Sequence, residues 1–159
     1  MGRYFLPVLI FGVCGTLTAK NLTGRFGIGG TLHDFRSTTS LSARLQLTQL
    51  TGVGFLAGFD TSDTSNLAVF GAKVLRNAHL EENLNFYVGV GGYVISDKLT
   101  GTVATGWELD GLLGVEFFFS GLPNLGFMIE TGVALRTIRA VSFKTLATGL
   151  ANIGFHYYF

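Results

Sequence analysis

The last residues of the chain, Ile153-Gly154-Phe155-His156-Tyr157-Tyr158-Phe159, alternate bulky apolar side chains with small or polar ones and stop on an aromatic. In an extended strand successive side chains point to opposite faces, so Ile153, Phe155, Tyr157 and Phe159 share one face and Asn152, Gly154, His156 and Tyr158 the other. A frayed tail has no reason to keep such a pattern. The same period of two recurs along the chain, yet beyond the first 19 residues no apolar run reaches the roughly 20 residues that a spanning helix needs. The composition is nevertheless 48% hydrophobic, with a mean hydropathy of +0.45. A barrel of alternating strands reconciles membrane-level hydropathy with the lack of such a run.

The N-terminal segment reads as a cleavable export signal: Met1-Gly2-Arg3 is a short basic start, Tyr4 to Thr18 is almost uncharged, and Leu17-Thr18-Ala19 ends it on small residues. Residues 1–19 are therefore expected to be a signal peptide and residues 20–159 one barrel domain. Cys14, the only cysteine, falls inside the signal. Val13 before it is a poor match to a lipoprotein pattern. A mature chain free of thiols suits an oxidising compartment. Removing Arg3 with the signal leaves ten basic against ten acidic groups, so no polybasic patch argues for nucleic acid. Twenty-three glycines, fifteen phenylalanines and two prolines describe tightly curved, aromatic-bearing strands.

Alternation and turn clusters predict eight antiparallel strands. They run near 21–33, 38–48, 52–60, 67–76, 84–95, 102–119 and 125–138, and from about Thr145 to the end. The first is expected to carry Leu22, Phe26, Ile28 and Leu32 on one face. The doubled Gly91-Gly92 suggests a bulge. An even count puts both termini on one side, expected to be periplasmic, with the turns near Gln49, Asn77 to Asn83 and Ser120 to Asn124. The segments around Phe35, Ser62, Asp97 and Arg139 to Lys144 would then face the medium. Periodicity alone also fits a soluble, lipocalin-like barrel. The signal, the terminal Phe159 and the aromatics near strand ends favour the membrane.

If the apolar face meets lipid, the other face fills the interior, which eight strands leave just wide enough for side chains. Arg25, Arg44, Lys73 and Arg136 then point inward with Glu108, Asp110, Glu116 and Glu130, so an ion-pair network is expected. Glu116 and Glu130 on neighbouring strands would repel, so Arg25, Arg44 or Lys73 should approach them. A polar path for ions or water would need a continuous gap, which inward glycines could provide. The same glycines equally let tall residues opposite them fit. Gly24 to Gly29 and Gly89 to Gly92 open no helix, so neither is a phosphate loop.

The three histidines, His33, His79 and His156, show no serine and carboxylate placed to make a catalytic constellation. The mature chain has no cysteine and no close His/Asp/Glu cluster, so no metal site or cofactor is expected. Asp60, Ser62 and Asp63 could hold Ca²⁺ only loosely, and a solvated turn is the plainer reading.

The terminal aromatic pattern resembles the C-terminal signature of bacterial outer-membrane β-barrels, and Ile153, Phe155, Tyr157 and Phe159 would be its assembly signal. The mature chain as a whole resembles small eight-stranded barrels of the OmpA, OmpX and OmpW kind. The segment Gly111-Leu112-Leu113-Gly114-Val115-Glu116-Phe117-Phe118, followed by Leu122-Pro123-Asn124-Leu125 and Glu130, looks like their penultimate hairpin. The resemblance implies an all-β, eight-stranded antiparallel up-and-down transmembrane β-barrel in the outer membrane. Its partners would be outer-membrane lipid and, during biogenesis, the barrel-assembly machinery. The implied role is non-enzymatic, in envelope integrity or surface properties. A narrow pore for ions or small solutes is the second reading, and a lipid-modifying enzyme the third.

Overall fold

The computed structural model describes residues 20–33, 35–62, 65–99, 101–146 and 151–159. The expected signal, residues 1–19, lies outside the described residues. Among the described residues nine strands form: β1 (Phe26–His33), β2 (Thr38–Gln46), β3 (Thr51–Thr61), β4 (Ser65–Leu80), β5 (Leu84–Leu99), β6 (Thr102–Phe118), β7 (Leu125–Thr137), β8 (Val141–Leu146) and β9 (Asn152–Tyr158). Each pairs antiparallel with its neighbours. β6 pairs with β7, β7 with β9 and β9 with β1, so the sheet closes on itself and leaves no edge along most of its wall.

The barrel has eight staves. β8 lies along Gly132 to Thr137 of β7, and β9 along Leu125 to Glu130 of the same strand. The single last strand expected from Thr145 is thus two pieces on one stave. Their registers differ: Gly132 opposes Leu146, whereas Glu130, two residues away, opposes Asn152. Among the described residues, the segment before β1, the C-terminal Phe159 and the turns after β2, β4 and β6 share one end, here the terminus end. The links after β1, β3, β5 and β7 share the other, the loop end.

Period-two alternation decides the faces. Outward stand exposed apolar residues such as Leu41, Phe55, Phe70, Val90, Leu113 and Ile153. Inward, Arg44, Lys73, Glu108, Glu116, Glu130 and His156 are buried. At the terminus end the outer wall carries an aromatic cluster in which the rings of Phe117, Phe119 and Phe127 lie 5.6 Å apart. Tyr157 and Phe159 pack at 5.2 Å. Phe59 and Phe70, at 5.1 Å, and Trp107 stand nearer the loop end.

Several local expectations are corrected. Gly91 and Gly92 sit in an unbroken ladder with both neighbours. The register shift in β4 falls instead between Asn77 and His79. Asn77 and Asp97, read from polarity as turn residues, are buried inside strands. A polar residue is a poor turn signal in a wall whose inner face is polar. Asn77 Nδ2 donates to Gln49 O at 2.8 Å, and Asp97 is ion-paired. β1 starts at Phe26 because the chain turns at Gly24, whose φ is 76°. Leu22 therefore leaves the expected outward face and tucks inside against Phe118 and Tyr158.

Candidate functional site

The lumen is where the chain's buried chemistry is gathered, and it is layered. Next to the Leu22–Phe118–Tyr158 cap, Arg44 Nη1 lies 3.2 Å from Glu116 Oε2, and Tyr158 Oη donates to Glu116 Oε1 at 2.6 Å. Lys73 Nζ donates to both Glu130 oxygens, at 2.5 and 2.7 Å. Tyr87 joins these two layers: its hydroxyl donates to Glu130 at 2.8 Å, and the Arg44 guanidinium lies 4.6 Å from its ring centroid. Nearer the loop end Arg136 donates to Glu108. His33 Nε2 is 3.3 Å from the other oxygen of Glu108. Phe35 N–H donates to His33 Nδ1 at 3.2 Å, which leaves Nε2 as the protonated nitrogen facing the carboxylate.

At the mouth Asp97 holds Arg36 at 3.0 Å and Arg139 at 3.5 Å. Arg36 also donates to Ser65 Oγ at 2.6 Å, and the Arg136 guanidinium lies 4.5 Å from the Phe35 ring. A residue with φ of 58°, Arg36, is followed by one at 51°, Ser37, so this short turn holds two non-glycine residues in the left-handed region.

Strand register explains the pairing. Gly114 of β6 opposes both Tyr87 of β5 and Glu130 of β7. A Cβ there would strike the Tyr87 ring, so glycine lets the tyrosine lie across β6 and reach Glu130. Gly54 likewise opposes both Arg44 and Lys73.

Of the eight lumen residues expected from sequence, the structure brings Arg44 to Glu116, Lys73 to Glu130 and Arg136 to Glu108. Asp110 is buried beside Lys73 and Glu130, where all three line a cavity of about 20 Å³. That is space for about one water. Arg25 sits between the turn at Gly24 and β1, half-buried, its carbonyl accepting from Gln46 N–H at 3.1 Å, and its guanidinium donates to Asn124 Oδ1 at 2.9 Å at the terminus end. The lumen is also less polar than expected. Leu56, Leu67, Val69 and Ile95 form a cluster with Tyr93, and Leu75, Leu112, Ala134 and Leu146 form one with Tyr87, because aliphatic side chains fill the spaces between ion pairs.

Sequence reasoning missed one constellation. Ser42 Oγ is 2.9 Å from His156 Nε2, and His156 Nδ1 is 3.8 Å from Glu116 Oε1. Gly29 of β1 opposes both Ser42 and His156, so strand register was the signal. The three side chains are 3%, 1% and 0% exposed. A hydrolytic serine must meet its acyl group, and these exposures leave no approach to Oγ. The 3.8 Å gap is also too long for a histidine-orienting hydrogen bond. The serine, histidine and glutamate belong to the packing of the lumen.

His79 pairs with Glu81 at 3.2 Å on the surface of the terminus end. Among the described residues no three His, Cys, Asp or Glu side chains come together as a metal site. Of the loosely imagined Ca²⁺ set, Asp63 lies outside the described residues, and the Ser62 hydroxyl donates to Ser65 O at 3.0 Å.

A closed antiparallel barrel of eight staves, apolar outside and ion-paired within, is the architecture of the small eight-stranded outer-membrane β-barrels, and this chain has that fold. Among solved structures it is similar to the N-terminal β-barrel domain of Pseudomonas aeruginosa OprF, with a TM-score of 0.58 and 12% identity, over 85% of this chain and 96% of that one. Neisserial surface protein A also matches, with a TM-score of 0.48 and 17% identity, over 85% and 94% of the two chains. So does Ail, the attachment invasion locus protein of Yersinia pestis, with a TM-score of 0.43 and 15% identity, over 86% and 99%. At such identities the likeness is one of fold. No protein-family model matches the chain, and no curated protein matches it.

Proposed function

We propose that this protein is an integral, non-enzymatic barrel of the bacterial outer membrane, contributing to envelope integrity or surface properties, with both termini periplasmic. One observation carries the reading: the wall is inverted relative to a soluble barrel. Leu41, Phe59 and Val90 are 71%, 60% and 64% exposed, while Arg44, Glu108 and Glu116 are at most 1% exposed. In water that arrangement leaves a large apolar surface wet and buries charge. In a bilayer the outer face meets hydrocarbon and the paired charges fill the lumen.

The ion pairs crossing the lumen support a filled interior over a pore. The test is electrophoresis of the outer-membrane fraction with and without boiling, followed by planar-bilayer recordings. A heat-dependent mobility shift in that fraction, with no current over repeated insertions, is the expected result. Unitary currents altered by Glu130→Ala would support the pore reading instead. A soluble protein with no shift would overturn the membrane assignment.

A further inference from the structure

The outer wall carries glycines that the packing of the barrel does not call for. Inward glycines such as Gly71 and Gly114 leave no room for a Cβ, because the rings of Tyr93 and Tyr87 lie over them. Gly92 of β5 faces outward, and a Cβ built there would meet only Leu109 Cδ2, at an ordinary 3.7 Å. Glycine in a strand interior weakens it, since it adds backbone entropy and offers no side chain to pack. Nothing within the barrel wall requires Gly92 to remain a glycine.

What Gly92 does produce is a hollow in the outer wall. It opposes Ala72 on β4 and Leu109 on β6, so two small residues, Gly92 and Ala72, stand side by side next to the taller Leu109. Two adjoining hollows of about 560 and 530 Å³ share Ala72, Gly92 and Leu109. One continues toward Val90, the other toward Phe70 and Trp107. The outward side chains that wall them are apolar, and they lie at mid-height of the exposed apolar band.

We infer that this groove is a seat for one acyl chain of a membrane lipid, an inference that rests on the membrane reading above. With apolar walls and no outward charge, it offers nothing to a headgroup, a peptide backbone or a polar solute. Hydrocarbon is the species that surrounds a barrel at this depth. A flexible, unbranched chain can lie in an open apolar depression of this kind and restore the dispersion contacts its lining lacks.

Trp107, the only tryptophan of the chain, lines the groove and reports on it directly. The experiment uses the full mature barrel, first reconstituted in vesicles of phosphatidylcholine brominated along its acyl chains. Trp107 fluorescence should be quenched there, as for a lipid-facing side chain. In micelles of an unbrominated detergent, dibromostearate is then titrated. A seat predicts saturable quenching, which Gly92→Leu abolishes by filling the groove and Ala72→Leu repeats at the neighbouring position. Gly30→Leu, at an outward glycine of β1 beside a separate hollow, should leave the curve unchanged. Quenching that rises linearly and identically in wild type and Gly92→Leu would overturn the seat while leaving the membrane reading intact. No quenching by the brominated bilayer would overturn both.

Discussion

The side chains that decide the stability of this barrel are buried ions whose partners stand on other strands. Arg44 and Glu116 come from β2 and β6, and they meet at 3.2 Å where exposure is at most 1%. Removing one member of such a pair leaves an uncompensated buried charge, which costs about 3–5 kcal/mol, whereas replacing both by apolar residues of similar volume is often far milder. Arg44→Met and Glu116→Leu should therefore each lower the urea midpoint of the folded band on unheated gels. The double variant should recover much of the loss. Equal loss in the double variant would mean that the pair's hydrogen bonds to Tyr158 and its neighbours matter more than its charge balance. These residues were legible singly, since alternation aims each of them inward, but their partnerships were not. Arg25 illustrates the limit: its parity is that of an inward residue, yet its side chain meets Asn124 at the terminus end, a partner that alternation does not name.

Among the elements, the glycine positions divide by face, and the division makes a sharp prediction. Gly114 lies beneath the Tyr87 ring, which is held by its bond to Glu130. Gly111, three residues earlier on β6, is on the outer face, where a Cβ would meet only Val133 Cγ2 at 3.8 Å. Overpacking an interior position typically costs about 1–3 kcal/mol. Gly114→Val should lower the urea midpoint and Gly111→Val should not. The two strands flanking the seam matter in a different way. β1 and β9 pair from Gly27 to Thr31, and Phe159 N–H donates to Phe26 O at 2.9 Å, one residue beyond β9. If Ile153, Phe155, Tyr157 and Phe159 carry an assembly signal, Phe159→Ala should cut outer-membrane levels in cells while the purified chain refolds normally in detergent. Normal cellular levels would remove that role.

For the molecule as a whole, the pairing pattern puts the segment before β1, Phe159 and the turns after β2, β4 and β6 at one end. The proposed orientation makes this the periplasmic side. A cysteine introduced at Ser62 should accordingly react with an impermeant maleimide on intact cells, and one at Gln49 only after the outer membrane is opened. The reverse pattern would invert the assignment. β4 and β5 show why strand count was more legible than strand limits. Turn-forming polarity suggested breaks at Asn77 and Asp97, but both are inward residues of long strands, bonded to Gln49 and to Arg36 and Arg139. In a barrel with a polar interior, polarity marks the lumen as often as it marks a turn.

The sequence by itself determined that this chain is a barrel, how many staves it has and which face of each strand is apolar, because a period of two is a property of the single strand and needs no partner to be read. Only the tertiary structure decided which charge meets which. That depends on the stagger between strands, which barrel closure imposes on all of them together. It therefore also decided that Gly29 sets Ser42 opposite His156, that Gly114 carries Tyr87 across to Glu130, and that Arg25 reaches Asn124. A shift of one residue in any register would have exchanged the faces and dissolved these pairs, and no local pattern along the chain records that choice.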